Sequence, residues 1–418
     1  GGTVPPSNPA YTAAELAQQL ETARAVAVLS TTSVRETVDA ATLQAGVRRV
    51  SYVEEPDCFA NSLCPDALLP ATPIDGARDL VALPFSSGTT GKPKGVMLSH
   101  RNLGANVLQS LSHEDLRHDV RAGDRLIGVL PLYHIYGMLI LGFSLASRAH
   151  LVLLPKFEPL PFLEAMQRHR ITGAFIVPPI ILFLAKHPQV AEYDLSALRF
   201  IVTGAATLDA GTQVAVSEQL GVPIRQGWGM TEVSQAAFSP LSFPPVPGSS
   251  GRALPGTRLK VVDPDTGAPR GVGEKGELCV SGPQVMVGYL DRPDETARTV
   301  RDGWVHTGDL GYVDGEENVF ITGRVKELIK VKGMQVAPAE VEGRILEHPD
   351  VSDACVVGVP DERAGELPKA FVVRRTGATG LDEQAVKAHV AERLASFKVP
   401  AMVEFIDTVP KSPSGKIL

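Results

Sequence analysis

Ser86-Ser87-Gly88-Thr89-Thr90-Gly91-Lys92-Pro93-Lys94-Gly95-Val96 is the stretch on which the reading of this chain turns. It follows an apolar run, Leu80–Phe85, and precedes Ser99, a residue suited to cap a helix. Its glycines let the backbone turn sharply and approach a ligand closely. Four hydroxyls and two lysines within nine residues supply donors for phosphate oxygens. The spacing is not that of a Walker A loop. Gly88 and Gly91 stand too close together, and Pro93 follows Lys92 where Ser or Thr is required. A phosphate-binding loop between a strand and a helix is therefore expected, but not a P-loop ATPase or kinase.

Working outward, short β-branched runs alternate with helical periodicity, the pattern of α/β units with a largely parallel sheet. Strands are expected at Ala25–Leu29, Val47–Val53, Leu80–Phe85, Arg125–Leu130, His150–Leu154, Ala174–Val177 and Arg199–Thr203. Helices are expected at Ala13–Arg24, Thr37–Ala45, Asn102–Leu111, Pro161–His169 and Ala210–Leu220. Beyond Val246 the texture changes to strands split by Gly, Pro and Asp turns, at Arg258–Val262, Gly276–Ser281 and Gly311–Thr322, which predicts a small β-rich subdomain. After Gly323 the pattern becomes α+β: helix Ala339–His348, strands Ala354–Pro360 and Ala370–Arg374, helix Asp382–Leu394. A boundary near Arg324–Lys326 divides the chain into residues 1–324 and 325–418.

With 418 residues, two or more domains are the prior expectation. Apolar residues make up 44% and charged residues 21%, ordinary values for a globular chain, so disorder over most of the length is excluded. A net charge of −7 without a basic stripe argues against a nucleic-acid binder. Met138–Leu154 is the most apolar stretch, but Arg148 and His150 interrupt it, so it reads as buried core rather than a membrane helix. Cys58, Cys64, Cys279 and Cys355 show no metal or disulfide spacing and fit a reducing cytoplasm. The opening Gly1-Gly2-Thr3-Val4-Pro5-Pro6 has no initiator Met and runs straight into helical periodicity, as if the sequence began inside a domain.

More marked segments follow in order. Pro131-Leu132-Tyr133-His134-Ile135-Tyr136-Gly137 carries a His and two Tyr after an apolar run. Thr203-Gly204-Ala205-Ala206 is a turn of small residues. Gln226-Gly227-Trp228-Gly229-Met230-Thr231-Glu232 supplies an aromatic plate, a hydroxyl and a carboxylate. Trp304-Val305-His306-Thr307-Gly308-Asp309-Leu310 offers Asp309, with Arg324 fifteen positions on. The Val325–Glu340 stretch is basic at its start, and Ser412-Pro413-Ser414-Gly415-Lys416 closes the series.

Together these segments resemble the motifs of the acyl-adenylate-forming superfamily, which includes acyl-CoA synthetases and 4-coumarate–CoA ligases, over nearly the whole chain. The resemblance implies a large domain of parallel-sheet α/β subdomains plus a β-rich one, lacking roughly a hundred residues at its N-terminus. It also implies a small, mobile α+β C-terminal domain joined by a hinge at Lys326. It implies a ligase that couples a carboxylic acid to ATP as an acyl-adenylate and passes the acyl group to coenzyme A. The roles it implies begin with ATP held by Ser86, Ser87, Gly88, Thr89, Thr90, Gly91 and Lys94, and by Gly204, Ala205, Ala206, Gln226 and Gly227. Trp228 would stack on adenine, Asp309 and Arg324 would face the ribose, and Thr231 would bind the α-phosphate. Glu232 would hold Mg²⁺, a cation that prefers carboxylate and phosphate oxygens.

By the same resemblance, His134 gates the acid pocket, and Tyr136, Val202, Gly229, Gln235 and Ala236 line it. Lys416 serves adenylation, since one cation between two anions lowers their repulsion. Lys330, Lys332, Gly333 and Gln335 serve the second half-reaction at the pantetheine channel. Plant enzymes of the coumarate type carry a lysine where this chain has Val202, and Pro-Val at Gln235-Ala236. The loss of that lysine favours a cinnamate-like or medium-chain acid. A carrier-protein acceptor and a catalytically silent ATP-binding module remain open alternatives. The expected partners are small molecules, with the chain a monomer or homodimer.

Overall fold

The computed structural model describes residues 2–56, 58, 72–86, 93–112, 120–239, 244–332, 334–361, 363–378 and 380–411. The chain opens on a helix, Ala13–Thr22, fixed by a capping box in which the Thr12 side chain and Glu15 satisfy each other's backbone. The strands Ala27–Ser30 and Arg49–Tyr52 pair in parallel across the helix Arg35–Ala45. Leu16, Leu20, Val38 and Tyr52 close a small core there.

The centre of the molecule is a seven-stranded sheet. Five strands run parallel, in the order Ile224–Met230, Phe200–Thr203, Gly173–Ile176, Arg125–Gly128, His150–Leu153. Phe200–Thr203 and Gly173–Ile176 are buried throughout, the reason their sequences are continuous apolar runs rather than alternating ones. Ser234–Phe238 and Arg252–Ala253 extend the sheet antiparallel at one edge. The largest core cluster lies between this sheet and its helices, with Phe162, Leu163, Ile176, Ile181 and Ile201 essentially inaccessible.

Arg258–Val262, Gly276–Ser281, Trp304–Val313, Val319–Arg324 and Val300–Arg301 form an antiparallel sheet, the β-rich part expected beyond Val246. A further mixed sheet joins Ile329–Val331, Met334–Val336, Val351–Asp361, Gly365–Arg374 and Met402–Phe405. Its cluster is built wholly from residues between Ile329 and Phe405. Among the described residues no helix is long and apolar enough to cross a membrane.

Three expectations need correction. Leu80–Phe85 is not one strand but two, Leu80–Ala82 and Phe85–Ser86. Pro84 interrupts the ladder because it has no N–H to donate. Met138–Leu154 is not wholly core. It is the helix Ile135–Ser147 followed by a strand, ended by Arg148 in the left-handed region (φ 58°), and it leaves Leu145 72% exposed. The helix Pro178–Lys186 was not anticipated. Its two prolines occupy the first turn, where the missing N–H groups have no intrahelical partner to lose.

Candidate active site

The phosphate-loop candidate forms two arms of a hairpin. Phe85–Ser86 pairs antiparallel with Lys94–Ser99, with Ser86 opposite Lys94. Its tip, with Ser87, Gly88, Thr89, Thr90 and Gly91, lies outside the described residues, as do Gly333 and Lys416. Ser99 caps the following helix as expected, its Oγ accepting from the Asn102 N–H at 3.2 Å.

Beside the hairpin, the strand Ile224–Met230 runs into Thr231 and Glu232. Glu232 is only 4% exposed. Its Oε1 accepts from the Ser86 hydroxyl at 3.0 Å and from the Tyr289 hydroxyl at 2.9 Å. A buried carboxylate needs such donors, because an unpaired buried charge is costly. Among the described residues no hydrogen bond reaches its second oxygen, Oε2. Thr231 is half-buried next to it. A hard carboxylate oxygen with no partner among the described residues, beside the candidate phosphate-loop hairpin, has the chemistry of a Mg²⁺ ligand.

Lys94 departs from the sequence expectation. It is 8% exposed, and its ammonium makes a 2.5 Å ion pair with Glu295 while lying 4.7 Å over the Tyr289 ring. An ammonium on a strand buried along its length must take a carboxylate partner, so this one is engaged by protein rather than left to phosphate. The hydrogen bond from Lys94 holds the Glu295 carboxyl below its ordinary pKa.

Asp309 is buried, with both oxygens engaged. Trp228 Nε1 donates to Oδ2 at 2.9 Å and Arg324 Nε to Oδ1 at 2.7 Å. Asp309 and Arg324 are register partners in adjacent strands, which explains their fifteen-residue spacing. Burial, the largest single influence, would lower the Arg324 pKa, but the Asp309 charge and hydrogen bond together with the Glu327 and Glu232 charges outweigh it, and the net shift is upward. The turn before Asp309 is pinned by Glu277, which accepts from the Gly308 N–H at 3.0 Å and pairs with His306 at 2.7 Å. Trp228 packs with Val233, Val261 and Leu278, so its indole serves the core as well as the site.

Alongside lies an apolar cavity of about 770 Å³, its open mouth included, lined by His134, Tyr136, Phe143, Val202, Gly204 and Gln235 among others. Gly227, Trp228 and Gly229 form the wall it shares with the Asp309 and Glu232 region. His134 caps the helix Ile135–Ser147, its Nδ1 accepting from the Tyr136 N–H at 3.2 Å; in the neutral ring the proton therefore sits on Nε2. The Tyr136 hydroxyl donates to the Val202 carbonyl at 3.3 Å, and burial pushes its pKa far up. At Gly229 the ladder is bulged, and a Cβ would stand 1.9 Å from the Ser234 carbonyl oxygen, so no side chain fits.

Gln235 Oε1 accepts from the Ser110 hydroxyl at 3.1 Å, and its backbone exchanges hydrogen bonds with the Asn106 side chain. Ala236 points the other way, into the core under the β-rich sheet, because side chains alternate along a strand. Gln226 does not face the cavity either. It clamps Leu208, donating to the carbonyl at 2.8 Å and accepting from the N–H at 3.0 Å, and so props the Gly204-Ala205-Ala206 turn. Ala205 and Ala206 are half-buried, with Ala205 at φ 68°.

Farther along, Lys326 is exposed in the turn Val325–Glu327. Lys330 and Gln335 stand opposite each other in the hairpin of Ile329–Val331 and Met334–Val336, and Lys332 makes its turn at φ 50°. Sequence reasoning missed Tyr289, Glu295, Ser110 and Asn106. Their contacts span 57 to 201 positions, and no local pattern marks them.

This arrangement is similar to known proteins. A family described as "AMP-binding enzyme" matches residues 1–290, and "AMP-binding enzyme C-terminal domain" matches residues 340–416. 4-Coumarate–CoA ligase 1 of Petroselinum crispum is 39% identical over 423 residues, covering 99% of this chain and 78% of that protein. The ATP-bound structure of MatB from Rhodopseudomonas palustris superposes with a TM-score of 0.91 at 36% identity, covering 100% of this chain and 82% of that one. The anthranilate CoA ligase AuaEII in complex with anthranoyl-AMP gives 0.90 at 26% identity, covering 100% and 81%. The chain belongs to the AMP-binding enzyme family, within the acyl-adenylate-forming superfamily. It is an AMP-forming acid–thiol ligase.

Proposed function

We propose that this ligase activates an aromatic, cinnamate-like or medium-chain carboxylic acid with ATP and Mg²⁺ and transfers the acyl group to coenzyme A. The observation that carries this is the apolar cavity sharing its Gly227–Gly229 wall with the Glu232 and Asp309 carboxylates. An acid entering it would bury its apolar body and leave its carboxylate beside the polar groups. Val202 and Phe143 offer no charged partner for a phenolic hydroxyl, which supports a less hydroxylated acid.

Carboxylates are poor acyl donors, and coupling to AMP creates a mixed anhydride with a good leaving group. Glu232 would hold Mg²⁺, which supplies neutralisation of phosphate charge when bound. Trp228 would flank the adenine while Asp309 and Arg324 receive the ribose. The buried walls exclude water that would hydrolyse the anhydride. In the second half-reaction the CoA thiol displaces AMP from the acyl carbon, with the Lys330–Gln335 hairpin as the surface that meets the pantetheine arm. We place the domain division at 324/325 and a hinge at Lys326. The separate core of residues 329–405 and the exposure of Lys326 support both. The free, buried thiols of Cys58, Cys279 and Cys355 support a reducing, cytoplasmic location.

The test is acid-dependent pyrophosphate release across cinnamic, benzoic and C6 to C12 fatty acids, with and without CoA. Release with one acid class and consumption of CoA is expected. Strong preference for caffeate over cinnamate refutes the substrate assignment. Transfer to a carrier protein but not to CoA refutes the acceptor.

A further inference from the structure

The buried network behind Glu232 has no part in the mechanism above. The segment Pro283–Tyr289 is bound on both sides. Asn102 Nδ2 donates to the Pro283 and Val285 carbonyls at 2.9 and 2.7 Å, and the Met286 N–H donates to the Glu232 carbonyl at 2.9 Å. Gly288 and Tyr289 pair with Met97 and Val96 of the phosphate-loop hairpin. Tyr289 is 6% exposed, its ring flanked by the Lys94 ammonium and its hydroxyl 2.9 Å from Glu232 Oε1. Lys94 is fixed in turn by Glu295 on the helix Pro293–Thr299.

We propose that Tyr289 is the positioning residue for Glu232. Its hydroxyl, backed by the Lys94–Glu295 pair, claims Oε1 together with Ser86 and reserves Oε2 for the divalent cation that accompanies ATP. This rests on the reading of Glu232 as a metal ligand. The ammonium against the ring and the hydroxyl donated to Oε1 act in one direction: together they fix the orientation of the Glu232 carboxylate. Lys94 thus serves the nucleotide from behind the carboxylate rather than by touching phosphate.

The experiment is calorimetric titration of ATP into the full chain, with and without Mg²⁺, for wild type, Glu232→Gln and Tyr289→Phe. The last keeps the buried ring and removes only the hydroxyl. Wild type gains affinity with Mg²⁺, and Glu232→Gln loses that gain. Tyr289→Phe is expected to lose about tenfold of it, the worth of one hydrogen bond to a charged group. A full gain in Tyr289→Phe overturns the positioning role and leaves Glu232 as the ligand. No gain in wild type, or an undiminished gain in Glu232→Gln, overturns the metal reading and the proposal with it. If Tyr289→Phe melts too low to titrate at room temperature, the same titration at a temperature below its melting transition decides the matter by the same criterion.

Discussion

Trp228→Phe separates what the indole does for the fold from what it does for the nucleotide. The substitution removes the 2.9 Å hydrogen bond to Asp309 Oδ2 and leaves Arg324 on Oδ1. Losing a donor to a buried carboxylate costs about 1.5–3 kcal/mol. The smaller ring leaves a void in the cluster with Val233, Val261 and Leu278, for about 1–3 kcal/mol more. At about 2 cal/mol/K of unfolding entropy per residue, a chain of this size melts about 3 to 7 °C lower if it unfolds as one unit. ATP can restore only the first part, and only if a ribose hydroxyl donates to Asp309. The assay compares thermal stabilisation by ATP and by 2′,3′-dideoxy-ATP in wild type and variant. Adenine stacking cancels in that ratio. The preference for ATP should rise in Trp228→Phe by about 1 kcal/mol, roughly fivefold in affinity. An equal ratio in both proteins refutes the claim that Asp309 meets the ribose.

Other outcomes follow from the same geometry. Glu342 accepts from the Val356 N–H at 2.8 Å, and burial pushes its pKa up from 4.5 to about 7. A raised carboxyl stabilises the fold below its unfolded pKa and loses that contribution as pH rises through the folded value. Urea unfolding should therefore show wild type losing about 2 kcal/mol relative to Glu342→Gln between pH 5 and 8. Lys94→Met leaves Glu295 only its 3.4 Å contact with Arg292 and should cost about 1–3 kcal/mol in urea unfolding, part of it recovered by adding Glu295→Leu. Gly229→Ala forces a Cβ against the Ser234 carbonyl, and acid-dependent pyrophosphate release should fall about a hundredfold.

The α/β architecture, the β-rich sheet and most helix positions were readable because each rests on local periodicity or on capping chemistry. Ala210–Leu220 matches its expected bounds, with Asp209 as the N-cap and Gly221 as the left-handed C-cap. The helix Pro178–Lys186 went unread because proline both stops and starts helices, and only the following chain decides which. Met138–Leu154 misled because composition reports apolarity, not which side of a helix finds a partner. For the site, residues in ordered motifs were legible, and their roles came from resemblance to relatives.

What the sequence alone determined is the set of chemical groups and their order: a glycine loop rich in hydroxyls and lysines, a Thr-Glu pair, an Asp and Arg fifteen apart. What only the tertiary structure decided is how those groups are spent. Lys94 is paired with Glu295, Gln226 clamps Leu208, Ala236 faces a core, and the Trp228 indole N–H is bound to Asp309. The physical reason is that a buried charge or donor must find its partner wherever the chain brings one close, and Tyr289 reaches Glu232 across 57 residues that carry no trace of the contact.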